Sequence, residues 1–300
     1  MVKLARRLAA VALGVAVDRV VPEPPNRWHP VARFGSLMSG LEQRVWRDRI
    51  DTGAAYALAG VVGATVVGRL VPSTSGATST AVAGHELRRV ASSIIDELDR
   101  GGLGAARASL PALVGRDPSS LDEAGVCAAV IESVAENTVD ALVAPVFWAV
   151  VAGAPGALGY RAINTMDAMV GHRSERYEHF GKASARLDDV ANYVPARLTA
   201  LLFAAANRER AGQVATTVRR DAGAHPSPNA GVAESAMAAA IGAQLGGPLR
   251  YGDRHEDRPT LGDGPRPDVA AARRAIATAE RAENLLIGVL VVAAVIGWRR

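Results

Sequence analysis

The 300-residue chain has a single cysteine, Cys127, so it can form no intrachain disulfide and no multi-cysteine zinc site. That excludes a stapled secreted fold and a zinc ribbon. Lysine is almost missing: of 34 basic residues only Lys3 and Lys182 are lysines, and no G-x-x-x-x-G-K-[ST] run exists, which excludes a P-loop nucleotide site. Phosphate bound by this chain must be held by arginines, a metal ion or helix ends. Aromatic residues make up only 4% although hydrophobic residues reach 49%, and alanine alone is roughly a fifth of the chain, so the apolar mass consists of small side chains. Basic runs interleaved with aromatics are also lacking. The net charge of +4 is spread along the sequence, and no nucleic-acid partner is expected.

What the chain does have is apolar length. Its mean hydropathy of +0.11 lies between that of a soluble enzyme and that of a polytopic carrier. Residues 8–17 form an apolar run behind Lys3, Arg6 and Arg7, but the run ends on Asp18-Arg19 and a proline-rich turn rather than a cleavage site, so a retained N-terminal helix is expected. Residues 52–68, 141–160 and 284–298 carry no charge and read as membrane spans, with 198–207 as a shorter candidate and Arg299-Arg300 as a basic stop. Pro145, Gly153, Pro155 and Gly156 fall inside the second span, where neighbouring helices would have to satisfy the freed backbone groups. Buried helices of an alanine-rich soluble protein are the alternative. Residues 86–98 and 269–283 are helical in pattern, whereas 72–80 and 251–268 read as loops, and no run alternates with period two. The expected fold is all-α: a polytopic integral membrane helical bundle of about four to five spans, one domain over residues 1–300, with polar loops carrying the site.

Four blocks carry the chemistry. In V-I-E-S-V-A-E-N-T-V-D (130–140) a spacing of four puts Glu132, Glu136 and Asp140 on one helical face, with Ser133 and Asn137 beside them. Like charges at that spacing repel by a few tenths of a kcal/mol in water and by more when desolvated, so a ladder of acids abutting an apolar run calls for a metal ion or arginines. A solvated helix face is the plainer alternative. Arg161, Asn164 and Asp167 recur every three residues and offer a guanidinium, an amide and a carboxylate to a polar ligand or ion. The following stretch, 171–182, is dense in Arg, Lys, Glu and His, as a phosphate-contacting loop or a simple charged loop would be. Asp188-Asp189 with Asn192 one turn later presents oxygens of the kind that Mg²⁺ shares with substrate phosphates. In H-P-S-P-N-A-G (225–231) a proline-rigidified turn delivers Ser227 and Asn229 ahead of a small-residue helix, which also describes an ordinary capping turn.

Taken in order, Asp18-Arg19 with Trp28-His29-Pro30-Val31, E-S-V-A-E-N-T-V-D (132–140), Y-R-A-I-N-T-M-D (160–167), A-R-L-D-D (185–189) with P-A-R (195–197), and S-P-N-A-G (227–231) resemble the membrane-bound cobalamin-biosynthesis family CobD/CbiB, the adenosylcobinamide-phosphate synthases. The resemblance runs from about Asp18 to the C-terminal span and departs from the family pattern at Val232-Ala233. It implies a multi-pass cell-membrane ligase that uses ATP and Mg²⁺. The amide bond would join the carboxylate of adenosylcobyric acid, a corrinoid, to aminopropanol or its phosphate. On that basis Asp188 and Asp189 are expected to hold the metal, with Asp140 beside them. Glu136, Asp140 and Asp167 are the expected catalytic carboxylates, Glu136 or Asp167 taking the proton of the amine. Arg161, Asn164, Lys182, Arg186, Arg197, Ser227, Asn229 and Asn137 are expected to bind phosphate or substrate. A homo-oligomer, or association with later membrane enzymes of the corrinoid pathway, is compatible with the resemblance. The competing function is a transporter or corrinoid-binding subunit that uses intramembrane carboxylates. A prenyl- or phosphoalcohol transferase fits less well, because only one D-D pair is present.

Overall fold

The structure, a computed structural model, describes residues 2–21, 24–25, 27–115, 117–172, 174–251 and 254–299. Arg173 of the charged stretch and Arg300 of the basic stop lie outside the described residues. The chain is helical almost throughout and divides into two compact units, Met1–Ala83 with Asp140–Pro195 and Ile287–Arg300, and Gly84–Val139 with Ala196–Leu286.

The first unit contains α1 (Val2–Val20), α2 (Pro30–Val45), α3 (Ile50–Leu70), α4 (Thr74–Ala81), α8 (Ala144–Ala152) and α9 (Ala154–Met166), with the first part of α10 (Lys182–Ala206) and the end of α13 (Val269–Trp298). Its tightest packing follows from missing side chains. Helix α3 lies along α9, and a Cβ placed on Gly68 would come within 2.6 Å of Pro155 Cα, while one on Gly159 would come within 2.9 Å of Thr65 Oγ1. Small residues let two backbones approach closely, the usual device where lipid supplies no hydrophobic drive between helices. Below them Met38, Tyr56, Ala57, Met166, Val170 and Phe180 form a buried cluster, with the Tyr56 and Phe180 rings 5.2 Å apart. Arg7 of α1 donates to the carbonyls of Val150 and Val151 at 3.2 and 2.7 Å, capping the C-terminal end of α8.

The second unit holds α5 (Gly84–Asp99), α6 (Leu103–Ser109), α7 (Glu123–Thr138), α11 (Ala211–Asp221), α12 (Ala230–Ile241) and a short hairpin of β1 (Leu245–Tyr251) with β2 (Arg254–Leu261). Helix α12 is buried on every side from Gly231 to Ile241, which its glycine, alanine and serine content allows. Gly242 ends it in the left-handed conformation (φ 70°) and donates to the Ala238 carbonyl, a helix C-cap that glycine adopts without a Cβ penalty.

Three expectations need revision. Residues 72–80 do not form a loop: Ser73 accepts the Gly76 N–H at 3.0 Å, and Thr78 and Thr80 donate to the carbonyls four residues earlier. Those bonds stabilise α4 from a polar, low-complexity run. The loop expected over 251–268 contains β2, and the hairpin starts earlier, at Leu245. Its ladder shifts register between Gly246 and Gly247, both at positive φ, so no period-two pattern marks it in the sequence. The apolar run 141–160 is not one helix, because Gly153 (φ 68°) breaks it between α8 and α9. Among the described residues three helical stretches are long and apolar enough to cross a membrane: Ile50–Leu70, Glu123–Ala152 and Val269–Trp298. At 1.5 Å per residue the first is about 31 Å long, matching a hydrocarbon core of about 30 Å.

Candidate functional site

The site begins with two copies of one local event. N-T-V-D (137–140) and N-T-M-D (164–167) each close an α-helix and enter a five-residue π-helical turn, Val139–Val143 after α7 and Asp167–Gly171 after α9. In both, the threonine hydroxyl donates to the carbonyl four residues back, Thr138 to Val134 at 2.6 Å and Thr165 to Arg161 at 2.7 Å. A hydroxyl drawing on that carbonyl loosens the ladder, and a π turn widens it, so the aspartate leaves the direction a regular helix would give it. The expected acid ladder is therefore broken. Glu132 is buried and accepts the Gly246 N–H at 3.0 Å, while Asp140 belongs to the first unit.

In that first unit Asp140 meets Asp188 of α10 through Asn192. The Asn192 amide nitrogen donates to Asp140 Oδ1 at 3.0 Å and to Asp188 Oδ2 at 2.9 Å, and its oxygen accepts from the buried Tyr160 hydroxyl at 2.8 Å. One amide thus spans two carboxylates. Asn192, expected to offer an oxygen to a cation, turns its nitrogen toward the acids instead. The indole of Trp148 donates to the Ala191 carbonyl at 3.1 Å and fixes α8 against this stretch of α10.

Burial and charge set the electrostatics. Burial raises the Asp188 pKa, and the Asp189 charge adds to it, while the Asn192 and Asn164 amides favour the charged form. Asp188 Oδ1 is itself buried and, among the described residues, makes no hydrogen bond of ordinary geometry. Asp167 is pushed up to about 7, first by burial and then by the charges of Asp188 and Asp189. Asp189 is raised by burial as well. Gly171 lies against Asp167, since a Cβ there would overlap its carboxylate. Arg161 stands at the edge of the cluster, with Nη1 3.4 Å from Asn164 Oδ1 and Nε buried without a partner among the described residues.

The remaining expected residues are placed as follows. In the first unit Lys182 pairs with Glu178 at 3.5 Å and Arg186 is exposed. In the second unit Arg197 donates to Asn229 Oδ1 at 3.0 Å and to the Pro228 carbonyl at 3.2 Å. Ser227 Oγ accepts the N–H groups of Asn229 and Ala230 at the start of α12. The ring of His225 steadies that turn by accepting the Ser227 N–H at 3.0 Å on Nδ1. Asn137 donates to the carbonyl and hydroxyl of Ser133, and Glu136 is half-buried. His172 rests edge-on against Tyr177, and His179 Nδ1 lies 3.0 Å from Asp48. Among the described residues no group of three or more His, Cys, Asp or Glu side chains is arranged to hold a metal ion.

Sequence reasoning gives Tyr160 no place in the site and Asn192 only that of an oxygen donor, although a signal is available. Tyr160 opens the run that ends in Asp167, and Asn192 follows Asp188 by one helical turn.

Comparison with known proteins gives a consistent result. The family model described as CobD/Cbib protein matches residues 11–279. "Cobalamin biosynthesis protein CobD" of Mycobacterium tuberculosis (strain CDC 1551 / Oshkosh) is 46% identical over 98% of this chain and 97% of its own. The proteins of that name from Rhodobacter capsulatus and Rhizobium meliloti (strain 1021) are 43% and 40% identical; the matches cover 95% and 92% of this chain and 97% and 90% of theirs. No solved structure matches the chain.

Proposed function

The chain belongs to the CobD/CbiB family of cobalamin-biosynthesis proteins, and from that premise we propose that it is a multi-pass cell-membrane ligase acting as one functional domain over residues 1–300. It joins the carboxylate of adenosylcobyric acid to the amine of 1-aminopropan-2-ol or its phosphate, at the expense of ATP. The observation that carries this reading is the half-buried Asp140–Asn192–Asp188 bridge with Asp167 beside it.

The donor set suits Mg²⁺. That ion is usually held by one or two carboxylates, completed by water and substrate phosphate oxygens, and not by an all-protein cage. Asp188 supplies a buried Oδ1 that makes no hydrogen bond of ordinary geometry among the described residues, Asp140 a second carboxylate, and Asp189 stands one residue further on. When bound, the ion would neutralise phosphate charge during phosphoryl transfer to the substrate carboxylate.

The chain's own residues do the rest. Arg161, whose buried Nε has no partner among the described residues, faces the developing negative charge, and Asn164 orients it. Asp167, with its carboxyl held near neutrality, accepts the proton of the attacking amine, because a general base works best when its pKa lies close to the operating pH. Lys182 and Arg186, in the same unit, bind the polar parts of the substrates.

The test is a product assay. Detergent-purified protein is mixed with adenosylcobyric acid, aminopropanol phosphate and MgATP, and the corrinoid is followed by mass spectrometry. Amide formation with one ADP released per product supports the ligase. Tight corrinoid binding without ATP turnover would replace it with a binding or transport role.

A further inference from the structure

The first unit has a cavity of about 540 Å³ between the first half of α2, the second half of α3 and the middle of α9. It lies apart from the Asp140–Asn192–Asp188 bridge and touches the catalytic group only through Arg161. Its walls are aliphatic and aromatic, with Phe34 and Leu37 on one side, Val67 on another and Leu158 on the third. Its charge is one-sided: Arg33 and Arg161 both line it, and among the described residues no acidic side chain does.

Two further observations describe this groove. The α3 wall is open at Gly63, where an added Cβ would meet no atom within 4 Å, whereas the space beside Gly60 is filled by Met166 and Met38. The same helix is one of the three apolar enough to cross a membrane, and Leu58, Val62, Val66 and Leu70 are exposed along it, as residues facing acyl chains would be. A groove alongside a spanning helix is open to lipid before it is open to water. Arg161 Nε is buried and has no partner among the described residues, so an anion in the groove would satisfy it.

We propose that this groove binds a glycerophospholipid with an anionic headgroup. One acyl chain would lie along the glycine-notched side of α3, with the headgroup phosphate against Arg33 and Arg161. The volume is that of an ordinary small-ligand site, the walls match a hydrocarbon chain, and the two guanidiniums select the headgroup by charge. The inference shares Arg161 with the ligase reading, since one guanidinium has donors enough for a headgroup oxygen and a transferring phosphate oxygen. It stands or falls on binding alone.

Native mass spectrometry of the full chain released from detergent tests it, with dioleoyl phosphatidylglycerol and dioleoyl phosphatidylcholine as probes and inorganic phosphate as competitor. The wild type is expected to retain one phosphatidylglycerol in preference to phosphatidylcholine by about thirtyfold, the order two arginines give an anionic headgroup. Millimolar inorganic phosphate should not displace it. Gly63→Leu, whose Cβ meets no atom within 4 Å, should abolish retention of the lipid, and Arg33→Gln should cut the headgroup preference to about fivefold. Ala64→Leu, on the same wall, serves as the second filling variant, with helical circular dichroism and monodisperse elution as folding controls. Equal retention of both lipids, or unchanged retention with the groove filled, would show an annular lipid only and overturn the proposal. Displacement by inorganic phosphate would also overturn it, assigning the arginines to a soluble ligand.

Discussion

Tyr160 donates its hydroxyl hydrogen to Asn192 Oδ1 at 2.8 Å, and this bond decides which end of the amide faces the carboxylates. With the oxygen occupied, both amide hydrogens are free for Asp140 and Asp188. A phenol on one helix therefore sets the spacing of two acids on two other segments.

Removing the phenol's hydrogen bond should cost less than altering the amide itself. Tyr160→Phe gives up one buried bond of about 1 kcal/mol and is expected to slow amide formation by about five- to tenfold. Asn192→Asp removes the bridging donors and adds a third carboxylate, so a loss of about a hundredfold or more is expected. Product formation followed by mass spectrometry ranks the two. Equal, small effects would mean that the bridge does not matter to turnover.

Asp167 gives a pH dependence with a defined sign. Its carboxyl is raised from 3.8 to about 7 in the folded protein, so between those values the folded chain holds a proton that the unfolded chain has lost. The group's contribution to stability is intact below 3.8 and declines as pH rises to about 7, then stays level. Asp167→Asn, measured in chelator, should match the wild type near pH 4 and exceed its melting temperature increasingly up to about pH 7. Wild-type turnover should fall as pH drops below about 7, when the base becomes protonated. A melting difference that does not vary with pH would contradict the assignment.

Gly171→Ala tests positioning without touching a functional group. The added methyl overlaps the Asp167 carboxylate, which must swing aside. Turnover is expected to drop by about tenfold or more with little change in melting temperature, because misplacing a reacting group by about 1 Å is expensive. Gly53→Ala is the structural counterpart. Its methyl would overlap the Phe180 carbonyl, a backbone atom that cannot turn away, and the expected readout is loss of folded protein in detergent.

In the second unit Arg88 pairs with Glu283, whose side chain is fully buried in α13. Arg88→Met removes the cation and leaves the carboxylate behind, at a cost of about 3–5 kcal/mol. The double variant Arg88→Met/Glu283→Leu should recover most of the melting temperature. Failure to recover would place Glu283 in some further role.

The helical class, the N-terminal helix and the long apolar helices α3 and α13 were legible in the sequence, because each rests on run length or on 3.6-residue periodicity over many positions. The clustering of Asp140, Asp167 and Asp188 was legible only in part. N-T-x-D and D-D-x-x-N announce polar chemistry, but no spacing rule shows that a π turn follows each threonine or that Asn192 presents nitrogen rather than oxygen. Helix α4 is hidden because serine and threonine satisfy the backbone from their own side chains, in a composition that reads as loop. The hairpin is hidden because two glycines at positive φ carry its register.

The thinness of the interior has a consequence for how this chain can change over generations. Gly53, Gly68, Gly156 and Gly181 each lie where an added methyl would run into main chain, and the buried residues of α12 include a glycine and five alanines. Where cores built of leucine and phenylalanine suffer most from losing atoms, this one should suffer most from gaining them. A saturation-mutagenesis map would then be lopsided, permissive toward shortening and closed to enlargement. Sequence drift in the family would be channelled to lipid-facing and loop positions, while its smallest residues stay fixed.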